Sequence, residues 1–165
     1  MRRFFLLLPL GLALAACGGS KHAATTTTVP SPSGAVGAGA KTVYQGGRWS
    51  VVLAGTKAVV LHLRGNRWVA DRSGSVKVEI LGPQPGATVD PIPQVAAQIT
   101  SQTDLVESAL WVDGRELLEK GGGSPTRGTI YGAPQRKLKP GSHLAVAYGR
   151  TATTGTAVAW RFTVR

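Results

Sequence analysis

The chain has 165 residues, 19 Lys and Arg against 8 Asp and Glu, a net charge of +11 and a single cysteine. One cysteine excludes an intrachain disulfide, so the fold must rest on its hydrophobic core. The basic balance favours anionic contacts, whether phospholipid head groups, wall polymers or nucleic acid.

Residues 1–16, MRRFFLLLPLGLALAA, have the three-part layout of a secretory signal. Arg2 and Arg3 precede an apolar run, and the small residues Ala15 and Ala16 close it. The run is about a dozen residues, short of the roughly 20 that span a bilayer. Cys17 follows. A nucleophilic cysteine needs a base or a positive field to lower its pKa, and a metal site needs partners at ligand spacing. Neither surrounds Cys17.

Leu14-Ala15-Ala16-Cys17 resembles the lipobox of bacterial lipoproteins. The resemblance implies a diacylglycerol on the Cys17 thiol, cleavage before it and acylation of the new N-terminus. Two acyl chains hold stably where one binds reversibly. The implied location is the extracytoplasmic face of the cell membrane, which makes nucleic acid the least expected partner. Arg2-Arg3-Phe4-Phe5-Leu6 partly matches a twin-arginine signal but lacks its polar flanks, so ordinary unfolded export is the expected route. Without Arg2 and Arg3, 17 basic residues stand against 8 acids, a net charge of +9.

Residues 17–40 are mostly Gly, Ala, Ser, Thr and Pro, with too little apolar surface to offset the entropy of ordering. They read as a lipid-anchored flexible linker, about 25–30 Å long as a coil. The threonine run at 25–28 is a candidate for O-linked sugar, and His22 is a passive linker residue. About 125 residues remain, enough for one self-supporting domain.

From Lys41 onward the pattern is β. Strands are expected at 51–53 and 58–63, separated by Gly55-Thr56, then at 67–70 after the turn Gly65-Asn66. Ser73-Gly74 turns the chain into a strand at 76–81, and GPQPG at 82–86 is a break that no central strand could cross. Alternation at 95–99 and 106–112, the tight turn Asp113-Gly114 leading into 115–117, and alternation at 144–148 and 158–164 complete the series. Period-two alternation predicts half-buried antiparallel strands, and no segment shows an amphipathic helix. The predicted fold is all-β, an antiparallel β-sandwich over 74–165 preceded by N-terminal β-hairpins in 41–73. Those hairpins either extend one sheet or form a small subdomain.

Residues 91–165 resemble bacterial immunoglobulin-like domains of exported and surface proteins. The resemblance is carried by Trp111-Val112-Asp113-Gly114, Tyr131-Gly132-Ala133-Pro134, Leu138-Lys139-Pro140-Gly141-Ser142-His143 and Trp160-Arg161-Phe162-Thr163-Val164. It implies a fold and an adhesive or spacer role, with no chemistry. Periplasmic copper carriers share a leucine–proline–glycine corner but carry a histidine before the last strand, where this chain reads Gly149-Arg150-Thr151-Ala152-Thr153-Thr154-Gly155. The serine–histidine–glycine–cysteine motif of L,D-transpeptidases is absent.

Gly46-Gly47-Arg48-Trp49 and Gly65-Asn66-Arg67-Trp68 form a faint repeat. Indoles beside arginines could stack on sugar rings if exposed, or pack into the sandwich if buried. Arg136, Lys137 and Lys139 form a basic corner suited to an anionic surface. Gly121-Gly122-Gly123-Ser124-Pro125 reads as a mobile hairpin connection, since no helix follows it as a phosphate loop requires. His143 reads as structural and Asp113 as a turn residue. No catalytic constellation, metal site or cofactor motif stands out. The expected function is a non-catalytic envelope lipoprotein presenting a basic immunoglobulin-like domain to an envelope protein or anionic wall polymer. The alternative is a carbohydrate or small-molecule binding module using Trp49, Trp68 and their arginines.

Overall fold

The computed structural model describes residues 29–72, 74–117 and 120–165. Cys17, the signal, His22 and the threonine run lie outside them. Apart from one short 3-10 turn at Ser33–Ala35, the regular structure of the described residues is all β.

The first four strands, β1 (Lys41–Gly46), β2 (Trp49–Ala54), β3 (Lys57–Arg64) and β4 (Arg67–Ala70), form a sheet in sequential order. Each hairpin closes through two residues, with Gly46 opposite Trp49, Ala54 opposite Lys57 and Arg64 opposite Arg67. Gly47, Gly55 and Gly65 have φ of 55°, 63° and 57°, and the residue after each does not share a positive φ. Positive φ at the first central position alone is the type II′ pattern, whose twist suits adjoining strands. Sequence patterning missed β1 because a bulge between Thr42 and Tyr44 places Val43 and Tyr44 against the same core.

The remaining strands build two sheets. One holds β5 (Val76–Gly82), β7 (Val95–Ser101), β10 (Lys120–Ser124) and β11 (Arg127–Gly132), in the order β10-β11-β7-β5. The other holds β6 (Thr88–Val89), β8 (Glu107–Val112), β9 (Arg115–Glu116), β12 (Gly141–Arg150) and β13 (Gly155–Val164), in the order β6-β13-β12-β8-β9. Among the described residues, only β6 and β13 pair in parallel. Named in chain order A, A′, B, C, C′, D, E, F and G, these strands reproduce the ABED and GFC layout of the immunoglobulin sandwich. The fold is an immunoglobulin-like β-sandwich, as the sequence predicts.

Val95, Ala97, Ile99, Leu110, Val112, Ala147, Trp160 and Phe162 fill the space between these two sheets. Antibody domains join strands B and F by a disulfide. Here Ile99 on β7 packs directly onto Gly149 of β12, where a Cβ would lie 2.5 Å from Ile99 Cγ2.

The expectation of half-buried strands fails at the GFC sheet. The β1–β4 sheet lies on its outer face, so that Trp49, Val51, Leu53 and Val60 meet Ala109, Trp111, Val146 and Tyr148 in a second core. The outer side of the first sheet is covered in turn. Val36 and Ala40 pack on Val52, Leu61 and Trp68, and Trp68 Nε1 donates to the Pro30 carbonyl at 2.7 Å. Residues 30–40, expected as part of the linker, therefore lie along a sheet whose apolar side chains would otherwise face water.

The glycine run is also corrected. Gly121, Gly122 and Gly123 belong to β10 and pair with Ile130, Thr129 and Gly128. Backbone ladders need no side chains, and the approach is close: a Cβ on Gly121 would lie 2.8 Å from the Thr129 carbonyl oxygen.

Gly149→Ala is expected to destabilise the protein by about 1–3 kcal/mol, because the β-branched Ile99 cannot swing its Cγ2 away. Denaturant midpoints check this. In an Ile99→Ala background the same change should cost less, as contacting sites are non-additive.

Candidate functional site

Exposed cations are spread over the surface, from Lys57 and Lys77 to Arg127 and Arg161, and two clusters stand out among them. The glycine turns Gly47-Arg48 and Gly65-Asn66 leave the same end of the first sheet, so Arg48, Arg64 and Arg67 come together there, all exposed. Arg64 and Arg67 face each other across the β3–β4 turn. The Arg48 guanidinium donates twice to the Leu63 carbonyl, at 3.0 and 2.8 Å.

The indoles of this repeat are not contact surfaces. Trp49 is 5% exposed and Trp68 7%, on opposite faces of the sheet. Trp49 stacks on His62 at 4.3 Å between ring centroids, and the Arg150 guanidinium lies 5.5 Å from the Trp49 ring centroid. Both tryptophans pack because the first sheet has a covered face on each side, which removes the reading that placed an exposed sugar platform at Trp49 and Trp68.

The same interface holds a polar cluster that sequence reading missed. Tyr44 donates to one oxygen of Glu107, and Arg150 Nε donates to the other at 2.5 Å. Burial, the hydrogen bond to Glu107 and its negative charge push the Tyr44 phenol up to about 12. The His62 imidazole is held below its ordinary pKa by burial and by Arg48 and Arg64. Glu107 and Arg150 lie 43 residues apart, so no local pattern marks the pair. Arg64 had a signal: in Arg64-Gly65-Asn66-Arg67 a two-residue turn sets the flanking arginines opposite each other.

The second basic surface is the loop at residues 133–140, where Arg136, Lys137 and Lys139 are exposed. Leu138 packs against the sandwich core, and its N–H donates to the Pro91 carbonyl at 2.8 Å. His143 secures the loop. Its Nδ1 lies 2.7 Å from Asp113 Oδ2 and its Nε2 lies 2.7 Å from the Lys139 carbonyl oxygen. Both neighbours accept hydrogen bonds, so the ring satisfies both only as an imidazolium. Burial opposes that charge, and the Asp113 hydrogen bond, the Lys139 carbonyl and the Asp113 charge outweigh it, raising the His143 pKa above 6.5. Asp113 itself sits in the turn with φ 51°, and its Oδ1 accepts from the Leu144 N–H at 3.0 Å.

Beneath the loop lies a cleft of about 450 Å³ whose lining includes Val112, Leu117, Pro134 and Leu138, with Arg136 and Lys137 beside them. The two basic surfaces sit at opposite ends of β12, whose ten residues span about 30 Å. Among the described residues, none of Arg48, Arg64, Arg67, Arg136, Lys137 and Lys139 forms an ion pair. Among the described residues, no cluster of His, Cys, Asp or Glu could hold a metal ion, and no helix is long and apolar enough to cross a membrane.

No family model matches the chain, and no curated protein matches it. Among solved structures it is similar to the titin M10–obscurin-like 1 Ig complex, at 12% identity and a TM-score of 0.34, covering 53% of this chain and 93% of that one. It is also similar to titin A168169, at 6% identity and a TM-score of 0.37 over 73% of this chain and 76% of that one. The titin Ig tandem A164–A165 aligns at 6% identity and a TM-score of 0.34, over 74% and 75% of the two chains.

The raised His143 pKa sets a sign. Its stabilising contribution is fully present below the unfolded value of about 6.5 and is lost as pH rises through the folded value. An NMR titration should show an imidazole titrating above 6.5, and His143→Gln should flatten the fall in melting temperature on the alkaline side. Glu107→Gln should weaken the inter-sheet cluster by roughly 1–3 kcal/mol in denaturant unfolding. It should also return the Tyr44 titration toward its ordinary range, as read by phenolate absorbance.

Proposed function

We propose that this chain is a non-catalytic, lipid-anchored envelope protein whose immunoglobulin-like domain holds an anionic partner at the extracytoplasmic face of the membrane. The lipobox-like Leu14-Ala15-Ala16-Cys17 supports the anchor. The observation that carries the binding role is the loop at 133–140. It presents Arg136, Lys137 and Lys139 to solvent without acidic partners among the described residues, and His143 and Leu138 fix its backbone. A loop held in one shape spends less entropy on binding than a free one. The partner is an envelope protein with an acidic surface or an anionic wall polymer.

Chemistry has less support than binding. Glu107, Arg150, Tyr44, His143 and Asp113 all bond to one another or to backbone. Each has a packing role.

The test is capture of envelope extract and of isolated wall polymer on the full chain, eluted with rising salt. The expected partner remains through about 0.5 M salt, where screening leaves a range of only a few ångströms. The triple variant Arg136→Gln, Lys137→Gln, Lys139→Gln should weaken its capture by about tenfold, or 1.4 kcal/mol. Release of everything at low salt from both proteins would leave only a charged spacer and end the adaptor reading.

A further inference from the structure

We infer that the arginine end of the first sheet, formed by Arg48, Arg64 and Arg67, docks on anionic phospholipid head groups and sets the orientation of the domain on the membrane. The inference rests on the lipid-anchor reading and adds to it a surface and a direction.

The place where the chain enters the structure carries the argument. Pro30 is bound through its carbonyl to Trp68 Nε1 at 2.7 Å. Trp68 follows Arg67 on β4 and pairs with Leu63, the neighbour of Arg64. From Pro30 the chain runs over the outer face of the sheet, through Val36 and Ala40, to Lys41 opposite Leu53 at the far end. The segment leading back to Cys17 therefore leaves the domain beside the three arginines. Thirteen residue steps separate Pro30 from Cys17, a reach of at most about 45 Å. A lipid at Cys17 thus attaches the domain beside the arginine end, about 30 Å from the distal 133–140 loop, and leaves the charge of that end to select the orientation.

Charge and shape agree with that placement. Residues 41–70 contain no acid. Arg64 and Arg67 stand on a tight turn, free to reach a flat surface, and Val69 on the same strand is 42% exposed. A basic segment near an anionic leaflet gains roughly fivefold in binding per Lys or Arg, and the attraction fades within a Debye length. One set of cations then faces the membrane while Arg136, Lys137 and Lys139 face outward, at the opposite end of β12.

The experiment reconstitutes the full chain, purified from membranes, into vesicles of phosphatidylcholine alone or with phosphatidylglycerol. A dye on Asn66→Cys, or in a second preparation on Gln135→Cys, is read against a head-group quencher. Mass analysis of the N-terminal peptide reports acylation of Cys17 independently. Docking predicts that the Asn66 position is quenched only with phosphatidylglycerol, is released by about 0.5 M salt, and that the Gln135 position stays unquenched. Arg64→Gln with Arg67→Gln should weaken docking about 25-fold. Arg48 is left in place because its guanidinium holds the Leu63 carbonyl. Equal quenching at both positions, insensitivity to phosphatidylglycerol, or quenching unchanged in the double variant would overturn the proposal. So would loss of vesicle docking on adding isolated wall polymer that binds through the same two arginines. Acylated Cys17 with no Asn66 quenching keeps the anchor and rejects docking. Unmodified Cys17 with arginine-dependent binding to added phosphatidylglycerol vesicles keeps docking and rejects the anchor.

Discussion

The architecture depends on the burial of the outer face of the GFC sheet. An immunoglobulin sandwich usually turns that face to solvent, and here it carries Trp111, Tyr148, Ala109 and Val146. The β1–β4 sheet supplies Trp49, Val51, Leu53 and Val60 against it, so the removal of apolar surface from water joins three sheets into one stack. That contact also fixes the polar cluster at its rim. Glu107 and Arg150 face each other across the paired strands β8 and β12, and Tyr44 of β1 joins them only because the first sheet lies where it does.

Layering has a consequence for function. A protein whose aromatic residues are consumed by two extra interfaces has few left for stacking on ligands. Trp49, Trp68, Trp111 and Trp160 are all buried, and the indole N–H groups of Trp68 and Trp160 are satisfied by the Pro30 and Pro83 carbonyls. What remains outside is charge. Some of it stands on strands, as at Lys77 and Arg161, and the clusters stand at turns and loops. Two cationic surfaces at opposite ends of a long strand pair are the product, one beside the entry of the chain and one distal.

The two surfaces differ in how they are held. Arg64 and Arg67 stand on a type II′ turn whose geometry comes from Gly65, a local device. The 133–140 loop is fixed by distant groups: Pro91 for the Leu138 N–H, and Asp113 through His143 for the Lys139 carbonyl. His143 links loop to turn through a ring that satisfies both neighbours only when protonated, so the presentation of Arg136, Lys137 and Lys139 is coupled to protonation. A lysine-rich loop on a rigid corner and an arginine pair on a tight turn are different tools. The first offers cations on a shape fixed from a distance, and the second offers guanidinium forks on a local turn.

Sequence alone determined the strand class, most strand positions, the sandwich, the hairpins at Gly55-Thr56 and Gly65-Asn66 and the basic 136–139 corner. Each of these is written in local periodicity, turn chemistry or composition, which act over a few residues. It also marked Cys17 and its flanks, which lie outside the described residues. Tertiary structure decided which faces the strands bury. Alternation cannot distinguish a residue packed on a third sheet from one facing water, so it left Trp49 and Trp68 open between packing and an exposed platform, and 30–40 looked like linker. The glycines of β10 left no side-chain pattern, because a backbone ladder needs none. The Glu107–Arg150 pair and the grouping of Arg48 with Arg64 and Arg67 depend on how strands are laid side by side, a long-range packing result that no short window of sequence contains.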